Sequence, residues 1–418
     1  MSNKPSPAWW VPTLYFAEGI PYFIVNVISV TMFKRLGMPN GALAAYTSLL
    51  YLPWVIKPLW SPFVDVIRTK RWWILAMQAL CTAGFAALAF SARPDAFGAA
   101  LVIFYVIAFA SATHDIAADG FYMLALDEKR QAAFVGIRST FYRIASVFGQ
   151  GVIVVLAGVW EERLGSIPRA WSLTLLAASG LFACITLWHS RFLPKSEDQD
   201  PAADRASLRE YFRGFAEAWK SFFRKPGTGP AIAFLLLYRL PEALSVKMLT
   251  PFLLDPAEDG GLGLGTAQAG LVYGTVGVIA LTVGGILGGL YAARKGLRRS
   301  LWPMSLALAL PCAVYLLLAL VQPSAAWGIY LCVALDQFGY GFGFTAYMLY
   351  MMQFSEGAFK TSHYAICTAF MALSMMIPGL FAGRMQEALG YVGFFIVVMI
   401  CCTATVFVTF LARRRCSS

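Results

Sequence analysis

The sequence has few of the residues from which enzyme active sites are usually built. It contains only 3 histidines. It has no HExxH motif, no glycine-rich phosphate loop followed by Lys-Ser/Thr, and no GxSxG element. Its 8 cysteines do not form the CxxC spacing of metal or redox sites. These absences argue against an enzyme, and we expect neither a cofactor nor a metal site.

Charged residues are also scarce. Only 13% of the residues are charged and 59% are hydrophobic, whereas an average soluble domain has roughly 25% charged residues. Apolar runs near the roughly 20 residues that cross a bilayer recur along the chain. We therefore predict an all-α integral membrane protein whose partner is the lipid bilayer. About twelve transmembrane helices are predicted, near 9–32, 41–62, 72–91, 98–124, 134–158, 171–190, 230–254, 267–292, 301–321, 326–352, 363–386 and 391–412.

The excess of positive charge follows a topological pattern. The net charge is +11, and clusters of Lys and Arg follow the predicted second, fourth, sixth, eighth and last spans. The loops 255–265 and 322–325 on the opposite side contain neither residue. Because positive loops stay in the cytoplasm, we expect both termini there. The charge is thereby explained by topology, and we expect no nucleic-acid partner.

A polar stretch divides the chain in the middle. The composition of residues 193–206 predicts a linker. In residues 205–223 the spacing predicts a helix with apolar and basic side chains on opposite faces. We expect this helix to lie on the cytoplasmic membrane face, where it docks the halves or the headgroups. A regulatory or partner site is the alternative. The predicted parts are an N-terminal half of roughly six helices at 1–192, a cytoplasmic linker with the amphipathic helix at 193–228, and a C-terminal half of roughly six helices at 229–418.

The stretch 111–126 places His114, Asp115 and Asp119 inside a predicted span. Ionisable side chains at bilayer depth are costly unless they face a polar cavity or a partner, so they mark functional sites. Asp115 and Asp119 are four residues apart and share one helix face. Two carboxylates so close in a low dielectric share a proton readily. We therefore predict that these residues form a proton-coupling element, assisted by His114 and a nearby arginine such as Arg143.

The acids recur in the second half of the chain. Asp336 precedes a GFTAYML run as Asp115 precedes DGFYML, and Glu242 in the seventh span parallels Glu18 in the first. Acids at corresponding positions of two repeats indicate a central cavity near a pseudo-two-fold axis. Glu18, Asp336 and Glu242 therefore join the predicted proton-coupling set. The alternative for each acid is one half of a structural salt bridge.

Cationic and aromatic residues in or near the spans fit a bulky, polar, anionic solute. The cations could neutralise carboxylates and the aromatic rings could stack on sugar faces. Packing or interfacial belts are the alternative for the rings. The predicted substrate-binding residues are Lys57, Arg138, Arg143, Arg239, Tyr22, Trp54 and Tyr340.

A basic loop follows the second and the eighth spans. The first copy runs SPFVD at 61–65 and then contains Arg68 and Arg71, and the second runs GLYAARKGLRR at 289–299. Both are similar to the signature loop of the major facilitator superfamily. Small residues there let helices approach, and the acid and arginines can latch helix ends. We predict a gating loop formed by Asp65, Arg68, Arg71 and Arg294.

Several longer motifs resemble those of the AmpG-type muropeptide permeases, a group within that superfamily. They are KPLWSPFVD at 57–65, SATHDIAADGF at 111–121, LYRLPEA at 237–243 and GYGFGFT at 339–345. The resemblance covers essentially the whole chain. It implies proton-driven import of GlcNAc-anhydromuropeptides across a bacterial inner membrane for cell-wall recycling. Separately, we expect the protein to be a monomer.

Other functions remain open from the sequence. A permease of the same fold could transport a siderophore or an acetyl-CoA-like anion, because related permeases carry such solutes. A membrane-embedded hydrolase or acyltransferase could use His114 and Asp115. A receptor or assembly factor of this fold would transport nothing.

Overall fold

The computed structural model describes residues 5–195, 208–323, 325–357 and 359–414. Within these ranges the chain forms helices and no β-strand, so the expected all-α architecture is confirmed. The helices of the first part of the chain are α1 Pro7–Phe23, α2 Ser29–Arg35, α3 Asn40–Leu49, α4 Leu52–Ile56, α5 Ser61–Val66, α6 Lys70–Ser91, α7 Phe97–Ala125, α8 Glu128–Val147, α9 Ile153–Leu164 and α10 Ile167–Phe192. Those of the second part are α11 Leu208–Arg224, α12 Thr228–Leu237, α13 Leu240–Leu254, α14 Thr266–Ala269, α15 Val278–Lys295, α16 Leu297–Ala309, α17 Ala313–Val321, α18 Ala326–Ser355 and α19 Lys360–Arg413.

The helices match the predicted membrane spans. In the described ranges, 8 helices are long and apolar enough to cross a membrane. The last of them, Ser362–Arg413, contains both of the final predicted spans. Gly390, with a φ of 66°, interrupts α19 and separates the two spans. When α19 is counted as two spans, and consecutive helices that form one predicted span are counted once, about twelve spans result, as predicted.

The second and the seventh predicted spans are each broken just before a proline. The second span stops at Leu49 and resumes at Leu52, followed directly by Pro53. The seventh is interrupted between Leu237 and Leu240, and Pro241 then stands in the first turn of α13. Proline removes a backbone donor and clashes with the preceding turn, so a helix begins at it more easily than it continues through it.

The chain forms two compact units, of which the first comprises Met1–Gly37 and Ile56–Phe212. In this unit α1 packs against α7, α8 and α10, while α6 packs against α7 and α10. Rings of Trp10 and Phe121 meet edge to face at 5.2 Å in the core between α1 and α7. This packing brings together the polar residues of α1, α7 and α8.

The second unit comprises Met38–Val55 and Arg213–Ser418. Its centre is the glycine-rich helix α18, which packs against α15 and α16. A Cβ on Gly341 would collide with the backbone oxygen of Leu281 in α15, and one on Gly339 with that of Ala307 in α16. Glycine therefore allows the backbones to approach closely, as is common between membrane helices.

We expect Gly341→Ala to destabilise the protein by about 1–3 kcal/mol, because the added methyl group overpacks a backbone contact. Gly328→Ala on the same helix is the matched control, since a Cβ there meets nothing within 4 Å. Thermal unfolding in detergent should show a lower Tm for Gly341→Ala alone. Equal effects of the two replacements would contradict the close packing of α15 on α18.

The segment Met38–Val55 belongs to the second unit although it precedes most of the first in the chain. Its helix α3 packs against α13 and α19. The side chain of Asn40 donates to Oε1 of Gln386 at 2.7 Å, and the backbone N–H of Gly41 donates to Oε1 of Glu387 at 2.7 Å. The carboxylate of Glu387 thereby stabilises the positive end of α3. The boundaries 1–192, 193–228 and 229–418 stay predictions.

The amphipathic helix is present as α11, and most of the linker before it lies outside the described residues. The side chain of Phe222 is fully buried against Phe354 and His363, with ring centres 5.4 and 5.6 Å away. Lys225, just after α11, donates to the carbonyls of Phe354 and Glu356 at the end of α18, both at 2.7 Å. The cation satisfies carbonyls that a helix end leaves unpaired. The C-terminal part of α11 is therefore docked on the second unit.

Candidate functional site

The first unit gathers the predicted acids of α7 with two cations. Nζ of Lys57 lies 3.6 Å from Oδ2 of Asp115, and the guanidinium of Arg138 lies 2.6 Å from Oδ1 of Asp119. Tyr15 donates to Oδ1 of Asp119 at 3.2 Å, and its ring lies under the Arg138 guanidinium at 4.3 Å. We call these five residues together with Glu18 the acid cluster. Each aspartate of the cluster thus has its own cation.

The cluster is partly open although it lies within apolar helices. The side chains of Asp119 and Arg138 are 40% and 33% exposed, and those of Asp115 and Lys57 are 16% and 29% exposed. Exposed charges at membrane depth are stable only where water or a polar solute reaches them. The geometry therefore indicates a polar cavity wall at α7 and α8.

Glu18 is the exception within the cluster. Its side chain is buried, and its Oε2 has no hydrogen-bond partner among the described residues. It lies within electrostatic reach of Asp115, Asp119, Arg138 and Lys57. A buried carboxylate without a direct partner is costly in its charged form. Glu18 is therefore the acid of this cluster that has neither a cation nor a hydrogen-bond donor from the described residues in direct contact with its Oε2.

His114 lies next to Asp115 in sequence, but its ring belongs to a separate network. The amide nitrogen of Gln78 lies 3.0 Å from Nε2 of His114 and 2.9 Å from Nδ1 of His189. Nε2 of His189 in turn lies 2.9 Å from the hydroxyl of Thr13. Among the described residues no hydrogen bond joins His114 to the two aspartates. Its assisting role stays a prediction, and the observed contacts connect α6, α7, α10 and α1.

The remaining predicted residues lie in α1, α4 and α8. Arg143 is half-buried in α8, and the arginine that reaches Asp119 is Arg138. Tyr22 is half-buried and meets the ring of Phe23 edge to face at 5.2 Å. Trp54 is half-buried in α4, which places it in the second unit. Their predicted contacts with solute are not tested by these positions.

In the second unit, Arg239 and Glu242 form a buried ion pair. Nε and Nη2 of Arg239 donate to the two carboxylate oxygens of Glu242 at 2.7 and 2.9 Å. The hydroxyl of Tyr340 accepts a further bond from Nη2 at 2.9 Å, and the ring of Phe344 lies 4.7 Å from the guanidinium carbon. The two side chains are only 7% and 10% exposed. A bidentate pair this well satisfied resists exchange with a solute.

Asp336 is held by neutral donors. Tyr315 donates to its Oδ2 at 2.7 Å, and the amide of Gln337 donates to the same oxygen at 3.1 Å. Asp336, Glu242 and Tyr340 line one cavity of about 10 Å³, which has room for about one water molecule. Glu242 of α13 and Asp336 of α18 thus line one small cavity inside the second unit, and the central cavity expected from the repeat stays a prediction.

The basic loops are described only in part. The side chain of Asp65 lies outside the described residues. Arg68 has a left-handed backbone, with φ 69°, and its guanidinium carbon lies 6.0 Å from the centre of the Trp72 ring. Arg71 donates to the carbonyl of Leu193 at 3.2 Å, at the C-terminus of α10. Arg294 is exposed in the last turn of α15. The gating role stays a prediction.

The sequence left several polar partners unrecognised. Nothing in the local pattern connects Tyr315 with Asp336, or Gln78 with His114. Such partners come from neighbouring helices at variable separations, so spacing carries no signal for them. The hydrogen bond from Tyr15 of α1 to Asp119 of α7 is another such partner.

Comparison with known proteins extends the motif resemblance over most of the chain. The family model described as Major Facilitator Superfamily matches residues 13–377. A Haemophilus influenzae protein described as uncharacterized is 24% identical over 91% of this chain and 88% of its own length. The anhydromuropeptide permease of Escherichia coli strain K12 is 27% identical over 92% of this chain and 75% of its own. The crystal structure of a D-xylose-proton symporter has a TM-score of 0.73 at 12% identity and covers 97% of this chain and 96% of its own.

Proposed function

Because the chain belongs to the Major Facilitator Superfamily, we propose that this multi-pass membrane transporter is a proton-coupled importer of GlcNAc-anhydromuropeptides. The observation that carries the proposal is the acid cluster. It combines a buried acid without a direct partner with two partly exposed ion pairs. Such a set can exchange both a proton and an anionic solute.

Glu18 holds the transported proton in this proposal. A solute carboxylate that binds Lys57 competes with Asp115, whose separation of 3.6 Å from the ammonium is long for an ion pair. An aspartate freed from its cation adds negative charge near Glu18, and a nearby negative charge favours the protonated form of an acid. Solute and proton therefore bind together. Coupled binding of this kind is the requirement for symport.

The solute assignment rests on the named relative and on the charges of the cluster. The Escherichia coli relative is an anhydromuropeptide permease. A muropeptide is bulky and polar and carries carboxylates, which suits the ammonium of Lys57 and the guanidinium of Arg138. Arg143, Tyr22 and Trp54 remain proposed contacts to its sugar and peptide parts.

We place the protein in the bacterial inner membrane with both termini in the cytoplasm. The basic loops after the second, fourth and eighth spans support this orientation. Import into the cytoplasm then returns cell-wall fragments for reuse. The protein acts as a monomer in this proposal.

A comparison of solutes in proteoliposomes tests the assignment. Purified protein would be given an inward proton gradient and a labelled GlcNAc-anhydromuropeptide, with a ferric siderophore and acetyl-CoA as unlabelled competitors. We expect only unlabelled muropeptide to reduce uptake at equal concentration. Competition by the siderophore or by acetyl-CoA alone would assign the transporter to that solute instead. Formation of a chemically altered product without a gradient would favour an enzyme.

A further inference from the structure

Lys247 in α13 is a buried cation to which the proposed function gives no task. Its side chain is 1% exposed, and no carboxylate among the described residues pairs with it. Its ammonium donates to Oγ1 of Thr47 at 3.4 Å and lies 5.0 Å from the centre of the Tyr51 ring. An ammonium can donate three hydrogen bonds. A buried charge so poorly compensated is costly, and within a membrane it marks a functional site.

Arg239, which directly precedes α13, is a buried cation with different surroundings. Arg239 has a bidentate carboxylate partner, a tyrosine hydroxyl and an aromatic ring around its guanidinium. The bundle can therefore compensate a buried cation fully when the role is structural. Lys247 lacks such compensation, which leaves donors available to an acceptor from outside.

A second unpartnered donor lies beside Lys247. The hydroxyl of Ser48 in α3 is buried and has no hydrogen-bond partner among the described residues. Both side chains border Gly379 of α19, because a Cβ there would collide with Oγ of Ser48 and approach Cγ of Lys247 to 3.2 Å. The hydroxyl of Thr47 already donates to the carbonyl of Leu43 at 2.8 Å. An ammonium and a free hydroxyl form the donor set that a carboxylate, which only accepts, requires.

The segment that covers Lys247 can move away from it without breaking a helix. Thr47, Ser48 and Tyr51 all belong to the segment Met38–Val55, whose helix α3 ends at Leu49. Its start is held by polar contacts, which water can replace: Asn40 donates to Gln386, Tyr391 and Asp255, and the backbone of Gly41 donates to Glu387. Its contact with α19 includes Gly379 and Gly383, where the two helices approach closely.

We propose that Lys247 and Ser48 bind a carboxylate of the transported solute when α3 separates from α13. The inference rests on the proposed function for the identity of the solute, but not for the chemistry of the site. When α3 returns to the position seen in the structure, the carboxylate must leave, because no space for it remains beside the ammonium. The site therefore captures the solute in one conformation and releases it in the other.

Equilibrium binding to the detergent-purified full chain tests the solute. The probes are a GlcNAc-anhydromuropeptide with free carboxylates and the same compound with its carboxylates amidated. We expect Lys247→Met to weaken binding of the free acid by about tenfold or more and to leave the amidated compound unchanged, since a charge-assisted bond is lost. Lys247→Arg should restore part of the difference. Equal weakening of both compounds, or no weakening, would overturn the proposal.

A thiol-labelling experiment tests the site without any solute. Ser48→Cys in proteoliposomes would be treated with an anionic sulfonate-bearing and a cationic trimethylammonium-bearing methanethiosulfonate, and the rates of the parent chain would be subtracted. Each labelling rate would be divided by the rate of the same reagent on a free thiol. We expect this relative rate to be about tenfold higher for the anionic reagent than for the cationic one, because Lys247 attracts anions. The preference should vanish in Lys247→Met and persist in Lys295→Met, which removes an exposed lysine of α15.

The two experiments separate this proposal from the proposed function. An anionic preference at Ser48→Cys without muropeptide binding would retain the anion site and reject the muropeptide. Muropeptide binding without that preference would retain the function and reject the site. Complete protection of Ser48→Cys from both reagents would also reject it, because α3 would then never separate from α13.

Discussion

Glu18→Gln is expected to abolish uphill uptake while counterflow exchange stays within a few-fold of the unmodified protein. Glutamine resembles a protonated glutamate in size and hydrogen bonding but cannot release a proton. Exchange of solute for solute requires no net proton movement, whereas accumulation against a gradient does. Under the imposed pH gradient the variant should then not accumulate solute. The ratio of internal to external solute concentration should stay near unity, about the value of simple equilibration. Both modes would be measured in the same proteoliposomes and normalised to folded protein.

Glu161→Gln is the matched control for this result. Glu161 is another buried carboxylate of the first unit, but it accepts from Arg35 at 2.9 Å and from Nε1 of Trp171 at 2.9 Å. Its loss leaves the arginine unpaired, so we expect lower stability and proportional loss of both transport modes. If Glu18→Gln also reduced both modes in proportion, Glu18 would be a structural residue and not the proton carrier.

Arg239→Met is expected to destabilise the protein by about 3–5 kcal/mol, because it leaves the carboxylate of Glu242 buried without its cation. The double variant Arg239→Met with Glu242→Gln removes both charges, and we expect it to regain most of that loss. Thermal unfolding of the two single variants and the double variant forms the required cycle. Arg294→Met, at the exposed end of α15, is the control and should change Tm little.

Transport by the double variant decides between the two interpretations of Arg239. The bidentate contact and the low exposure of the pair favour a structural role. We therefore expect the double variant to recover uptake together with stability. Recovered stability with a KM that stays raised more than about tenfold would instead assign Arg239 to the solute site.

The spans and the repeated acids could be predicted because their signals are local. Apolar length alone identifies a span, and a spacing of four residues places Asp115 and Asp119 on one helix face. The match between Glu18 and Glu242 came from comparing two halves of the same chain. In the structure Glu242 and Asp336 line one small cavity of the second unit, and the central cavity expected from that comparison stays a prediction.

Partners across helices could not be predicted in the same way. Arg138 rather than Arg143 reaches Asp119, because the rotation of α8 against α1 decides which arginine points toward that aspartate. Both arginines have the same chemistry, and the helix bears no clear apolar stripe to set its rotation. The sequence likewise could not predict that the charge of Lys247 is poorly compensated, because this depends on α3 belonging to the second unit instead of the first.

Accumulation of a labelled anhydromuropeptide in proteoliposomes, driven only by an imposed inward proton gradient, tests the central claim most directly. We expect uptake above equilibration while the gradient persists, and collapse to equilibration when a protonophore is added. Uptake that reaches the same level with and without the gradient would contradict proton coupling. No uptake of the muropeptide under either condition, by protein shown to be folded, would contradict the substrate.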